Sequence, residues 1–152
     1  MAWVFIVTPS GGLLSVIYSV GQSVGLGGAN VRDDVLLVQF FLSVLRQQDA
    51  RGNSGFLPPG DPPLIIDGAF GQKTANAIRF FQEESNRRAG RIKADQRIDP
   101  LKGGLLGSLT GSLLSMALLN FEYLNRQGKG FHSNISFDPL FPSGLRKVLF
   151  MG

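Results

Sequence analysis

Ile66-Asp67-Gly68-Ala69-Phe70-Gly71-Gln72-Lys73-Thr74-Ala75-Asn76-Ala77-Ile78-Arg79-Phe80-Phe81-Gln82 is the stretch that decides how this chain folds. Leu64-Ile65-Ile66 is a short apolar approach to it. Gly68 and Gly71 permit backbone angles that other residues resist, so the chain can reverse between Ile66 and Gln72. Asp67 can accept backbone N–H bonds and hold that reversal. The spacing after it predicts a helix from Gln72 to Arg87, with Thr74, Ala77, Ile78 and Phe81 on the inward face. Phe70 reads as a plug under the turn. Thr74 reads as a first-turn hydroxyl serving a local backbone group, and Gln82 as a tie to a neighbouring loop.

Upstream, Asn30-Val31-Arg32-Asp33-Asp34 reads as a helix start, capped by Asn30 or Asp33. Val35, Val38, Leu42 and Leu45 then share one helical face, and the helix is expected to reach Gln48. Asp49 to Pro63 holds four Pro and three Gly and reads as a loop. At the start of the chain, Trp3 to Val7 and Leu13 to Val20 are β-prone runs around Pro9-Ser10-Gly11-Gly12, which predicts a hairpin. That hairpin is apolar on both faces, so the domain or another chain must cover it. Gly21 to Gly28 is a connector.

Downstream, Ile98-Asp99-Pro100 echoes Ile66-Asp67-Gly68, a weak internal repeat. A third helix fits Leu106 to Asn125, with Leu106, Leu109, Leu113, Ala117 and Leu124 near one face. From Gly128 onward, Pro139 and Pro142 argue for an irregular tail, and Phe131, Phe137, Phe141 and Phe150 for its packing onto something. The expected organisation is a hairpin extension over 1–22, a domain over 24–126 and a tail over 127–152. The expected fold is mainly α: a small three-helix bundle with an N-terminal β-hairpin and an irregular C-terminal tail.

Composition narrows the chemistry. The 152 residues suit one core of ordinary size, and 43% hydrophobic residues exclude global disorder. Cys is absent, which removes disulfides, thiolate nucleophiles and Cys-metal sites. The single His, His132, excludes a multi-histidine zinc site. No cofactor or metal is expected. The net charge of +4 resides in one segment, where Arg87, Arg88, Arg91, Lys93, Arg97 and Lys102 face only Asp95 and Asp99. A near-neutral chain with one basic loop lacks the broad basic face of a nucleic-acid binder, and Phe81 is needed in the core rather than for base stacking. The uncharged segments 1–30 and 103–121 are interrupted by Gly and polar residues, which makes them poor membrane spans. Met1 to Val7 has no Lys or Arg, and Thr8-Pro9-Ser10-Gly11-Gly12 interrupts it, so no cleavable signal peptide is expected.

The opening stretch resembles the peptidoglycan-binding domain family, whose signature is D-G-x-F/Y-G-x-x-T-x-x-A-V-x-x-F-Q. Asp67, Gly68, Phe70, Gly71, Thr74, Ala77, Phe81 and Gln82 meet it, with Ile78 standing in for Val. Asp34-Val35 through Gln39 to Leu42 is similar to the family's first-helix pattern D-V-x-x-V/L-Q-x-x-L. Asp95-Gln96-Arg97-Ile98-Asp99-Pro100, followed by Leu119-Asn120, is similar to the ending of some members. The resemblance covers residues 24–126. The long loop, Gln96 and Pro100 (where Gly is common), the hairpin and the tail depart from it.

The resemblance implies a non-catalytic binding module for the bacterial cell wall, with peptidoglycan as partner. Candidate contacts are Asp67, Gln72, Lys73 and Arg79 near the turn, with Arg91 or Arg97 offering cations to stem-peptide carboxylates. The alternative is a structural or assembly protein of a phage particle or contractile secretion machine. It would dock or self-associate through residues 1–22. Either way, a cytoplasmically made product would act at the envelope or in such a particle. An enzyme is not expected. Glu83 and Glu84 point to different helix sectors, Glu122 has no evident partner, and His132 sits in a Gly/Ser/Asn tail and reads as solvated.

Overall fold

A computed structural model of the chain describes residues 2–6, 16–47, 55–58, 60, 62–90, 92–101 and 115–150. These form a mainly helical molecule with a small N-terminal two-stranded hairpin. The β-prone runs pair as β1 (Trp3–Ile6) and β2 (Val16–Ser19), antiparallel, with Trp3 opposite Ser19 and Ile6 opposite Val16. The turn expected at Pro9 to Gly12 lies outside the described residues. Ile17, Tyr18, Ser19 and Val20 are buried. The chain itself therefore covers this strand.

Helix α1 (Arg32–Leu45) is the centre of the core. Val35 to Leu42, together with Val44 and Leu45, are buried on nearly all sides, as a helix wrapped by the rest of the fold must be. The expected caps are not used. Val31 takes the cap position without a side-chain bond. Asn30 instead adopts a positive φ of 53° and closes the preceding loop, accepting from the Gly25 N–H and donating to the Gly25 and Gly28 carbonyls. The buried Asp34 carboxylate reaches back and accepts the Gly21 and Gln22 N–H groups at 2.8 and 3.0 Å.

Helix α2 (Gln72–Ala89) buries Thr74, Ala77, Ile78 and Phe81. Its end is fastened to the long loop through Phe56. That ring lies 4.9 Å from the Phe81 ring, with the Arg88 guanidinium 4.4 Å over its face. Two short strands, β3 (Val24–Gly25) and β4 (Arg97–Ile98), pair antiparallel and join the loop before α1 to the turn after α2.

Helix α3 (Ser115–Ser133) packs against α1 and the hairpin. Residues 106–114 of the expected third helix, with Leu106, Leu109 and Leu113, lie outside the described residues. The first helical stretch breaks at Gly128, at φ 87° and close to the expected end at Asn125, but a second stretch follows it through Ser133. Beyond it the segment read as an irregular tail is mostly short helical turns. These are 3-10 turns at Ile135–Phe137 and Ser143–Leu145, then α4 (Arg146–Phe150). Pro139 and Pro142 sit in the joints between these turns, where a missing N–H costs nothing. Ile135, Leu145 and Leu149 are buried, and Phe141 sets its ring edge against Phe40 at 5.6 Å.

Candidate functional site

The reversal at Asp67 is held from below by one side chain of α1. Gln39 is 1% exposed, and its Oε1 accepts the N–H groups of Asp67 and Gly68 at 3.0 and 2.8 Å. Its Nε2 donates to Asp67 Oδ1, the Ala69 carbonyl and Thr74 Oγ1 at 3.2, 3.1 and 3.1 Å. Asp67 Oδ1 also accepts the Ala69 N–H at 2.9 Å. Gly68 turns the chain at φ 77°; a Cβ there would lie 2.8 Å from Arg32 Cγ. Thr74 is buried and serves Gln39 rather than a local backbone group.

The same device recurs one helix later. Gln82 of α2, also buried, accepts the Gln96 N–H at 2.7 Å. Its Nε2 donates to Asp95 Oδ1, the Arg97 carbonyl and Ser115 Oγ at 3.4, 2.9 and 2.9 Å. Asp95 Oδ1 accepts the Arg97 N–H at 3.1 Å, as Asp67 accepts that of Ala69. Gln96 takes the positive φ of Gly68, at 62°. The internal repeat is therefore real in bonding, but its register pairs Asp67 with Asp95. The sequence echo had matched Asp67 to Asp99, which instead pairs with Arg97 and accepts the Ser23 hydroxyl.

The first turn opens onto a groove that brings expected contacts together. It has a volume of about 340 Å³, and Asp67, Gln72 and Lys73 line it with Gln39, Thr74 and an apolar wall of Leu64, Ile65 and Phe70. Phe70 is half-buried in that wall and packs against the core beside the Gln39-held turn. The backbone N–H of Ala69, then the Gln39 amide, hold the Asp67 carboxyl below the usual carboxylate range. One rim is thus a fixed anion. The other is the start of α2, where Gly71 gives no side-chain cap and the first turn carries Lys73 but no acid. That rim favours negative charge. The Gln72 amide donates to Asn76 at 2.8 Å, which turns its oxygen free for other donors.

The remaining candidates lie elsewhere. Arg79 is exposed about two turns further along α2 and does not line the groove. Arg97 is not a free cation: its Nε is 2.8 Å from Asp99 Oδ1. Arg91 lies outside the described residues. Ile78 and Phe81 are core, and Gln82 ties α2 to the 95–97 turn. His132 is not solvated; it is 1% exposed, with Nε2 3.1 Å from Asn120 Oδ1. Sequence reasoning assigned no role to Gln39 and Asn120. Asn120 grips the hairpin by accepting the Tyr18 N–H and donating to the Tyr18 carbonyl, both at 2.9 Å. The sequence signals for Gln39 and Asn120 were an amide inside an apolar helical run and a place in the family-like patterns of the first helix and the ending.

Among the described residues, no group of three or more His, Asp or Glu could hold a metal ion. None of their helices is long and apolar enough to cross a membrane. Fold and groove together define a small, mainly helical chain with a charged, ligand-sized cleft at a clamped turn. Compared with known proteins, it matches no family model, no curated protein and no solved structure.

Proposed function

We propose that this chain is a non-catalytic module that binds bacterial peptidoglycan, using a bundle of the peptidoglycan-binding type. The observation that carries the reading is the groove at the Gln39-clamped turn. The residues of the family-like signature build it, and three of the expected contacts line it. Its chemistry suits the ligand. Stem peptides offer amides, carboxylates and amines, and the groove offers an anion at Asp67, a cation at Lys73 and an apolar wall. The acids suit binding better than hydrolysis. Arg87 and Arg88 engage Glu84 and hold its carboxyl down to about 2, and Arg126 engages Glu122 at 2.6 Å. A general acid needs a raised value, the opposite of what Glu84 shows.

Purified cell-wall sacculi test this directly. The protein is expected to co-sediment with them at low salt. Lys73→Glu is expected to lower the bound fraction about tenfold at unchanged stability, the loss of one charge-assisted contact. Failure of the parent protein to co-sediment, or release of soluble muropeptides, would overturn the reading. The assembly alternative predicts self-association instead, visible as a multimer in light scattering that deletion of residues 1–22 abolishes.

A further inference from the structure

We propose that residues 129–150 form an arm that acid releases, hinged at Gly128 and latched at neutral pH by His132 over the aromatic core. The hinge is a single position. Gly128 has φ 87° and ψ 169° between two helical stretches, so the chain can change direction there at one residue, and opening the arm would uncover the buried Ile135, Leu145 and Leu149. The arm beyond it closes over the cluster of Tyr18, Phe40, Phe41 and Tyr123.

His132 is its deepest polar anchor. The imidazole sits edge-on to Tyr18 at 5.5 Å and tilted to Tyr123 at 6.0 Å. Its Nε2 faces Asn120 Oδ1, an oxygen that already accepts the Tyr18 N–H. Because that oxygen can only accept, the neutral ring must carry its proton on Nε2. Nδ1 is then the site of any second proton. The arm's other latches surround the ring. Tyr123 Oη and Gln127 Nε2 both donate to Asp138 Oδ2 at 2.8 Å, and the Ile135 N–H donates to Tyr18 Oη at 3.4 Å.

Among the described residues, no side chain pairs with a charge on the ring. The titratable groups facing it are Tyr18 from β2 and Tyr123 from α3, with Asp138 reached through Tyr123. From α1 the cluster receives the apolar Phe40 and Phe41, while the buried Asp34 of that helix is bound to the Gly21 and Gln22 N–H groups. From β1, Val4 lies opposite Tyr18. Among the described residues, no carboxylate forms an ion pair with His132. Protonation would thus place an unpaired charge among aromatic rings, whereas an opened arm would hydrate it.

Burial accordingly pushes His132 down from 6.5 to about 4. The closed form is favoured fully above pH 6.5 and loses ground as pH falls toward about 4. The opening equilibrium is expected to rise ~30-fold between neutral pH and about pH 5.

Hydrogen exchange by mass spectrometry on the full chain tests this at neutral pH and at about pH 5, with rates corrected for their intrinsic pH dependence. Arm peptides are expected to exchange ~30-fold faster at the lower pH while α2 peptides keep their protection. His132→Gln keeps a donor toward Asn120 but cannot titrate, and its arm is expected to stay closed at both values. Asp138→Asn is expected to open like the parent. The proposal fails if the arm and α2 loosen together, if the arm does not respond, if His132→Gln still responds, or if Asp138→Asn does not. Should His132→Gln not fold, proton NMR of the parent decides. The His132 ring must titrate well below 6.5 in step with the arm amides; an ordinary titration with a silent arm overturns the idea.

Discussion

Gln96 and Gly68 occupy the same place in two copies of one turn, and they differ by a side chain. Both have positive φ, 62° and 77°. An L-residue pays about 1–2 kcal/mol to sit there, while glycine loses about 0.4–1 kcal/mol through the freedom of the unfolded chain. The balance predicts that Gln96→Gly stabilises the protein by about 0.5 kcal/mol. Gly68→Ala goes the other way, because its Cβ would strike Arg32 at 2.8 Å, and a loss of about 1–3 kcal/mol is expected. Urea unfolding of the two variants reads both signs, and equal effects would mean the turns are not equivalent. Beneath each turn the decisive residue is an amide. Gln39→Ala strands the Asp67 and Gly68 N–H groups and is expected to cost about 2–4 kcal/mol in the same assay. A loss under about half a kcal/mol would show that water replaces the clamp.

At the scale of elements, each long helix grips a piece of backbone outside itself. Gln39 of α1 and Gln82 of α2 hold the turns that lead into the next helix, and Asn120 of α3 holds β2. Asn120→Ala should therefore release the hairpin selectively. The expected change is a loss of about 2–4 kcal/mol, with the Trp3 emission shifting toward that of a solvated indole before α2 melts. Coincident melting would place the hairpin inside the global unit instead. This logic also sorts what could be read in advance. The glycine-hinged turn and the α2 face of Thr74, Ala77, Ile78 and Phe81 were legible because local backbone rules and a 3.6-residue period fix them. The tie from Gln82 to a neighbouring loop was legible as well, but the Gln39 and Asn120 clamps were not, since a buried amide has the same letter as a solvated one until its partners arrive from elsewhere in the chain. The echo of Ile-Asp misplaced the repeat for the same reason: the equivalence lies in what Gln39 and Gln82 bind. In the C-terminal arm, Gly128, Pro139 and Pro142 are breakers by local rules. The chain places them at joints between short turns that are helical because Ile135, Leu145 and Leu149 bury there. Of the site, Asp67, Gln72 and Lys73 were legible from proximity in sequence, while Arg97 was lost to a local ion pair.

For the whole molecule, one buried cluster contributes to both edges of the pH range of stability. On the acid side stands His132, whose neutral form the fold prefers. On the alkaline side stand two tyrosines. Burial pushes Tyr18 up from 10.0 to about 12, and burial with the Asp138 bond raises Tyr123 as well. The folded state thus disfavours tyrosinate. Its advantage is complete below pH 10 and is lost as pH rises through 10 toward 12, the mirror image of the histidine case. For Tyr18 alone this amounts to about 2–3 kcal/mol, a large share of the stability of a domain this size. Stability should therefore be flat from pH 7 to 9 and fall steeply above 10. Tyrosinate absorbance should rise cooperatively with the loss of helical circular dichroism, not ahead of it. Tyr18→Phe removes one of the two ionisations and keeps the buried ring while giving up the 3.4 Å bond from Ile135, so its alkaline midpoint should move upward. Tyrosines that ionise near pH 10 in a still-helical protein would mean the cluster is open to water, and the latch proposed for His132 would lose its dry pocket too.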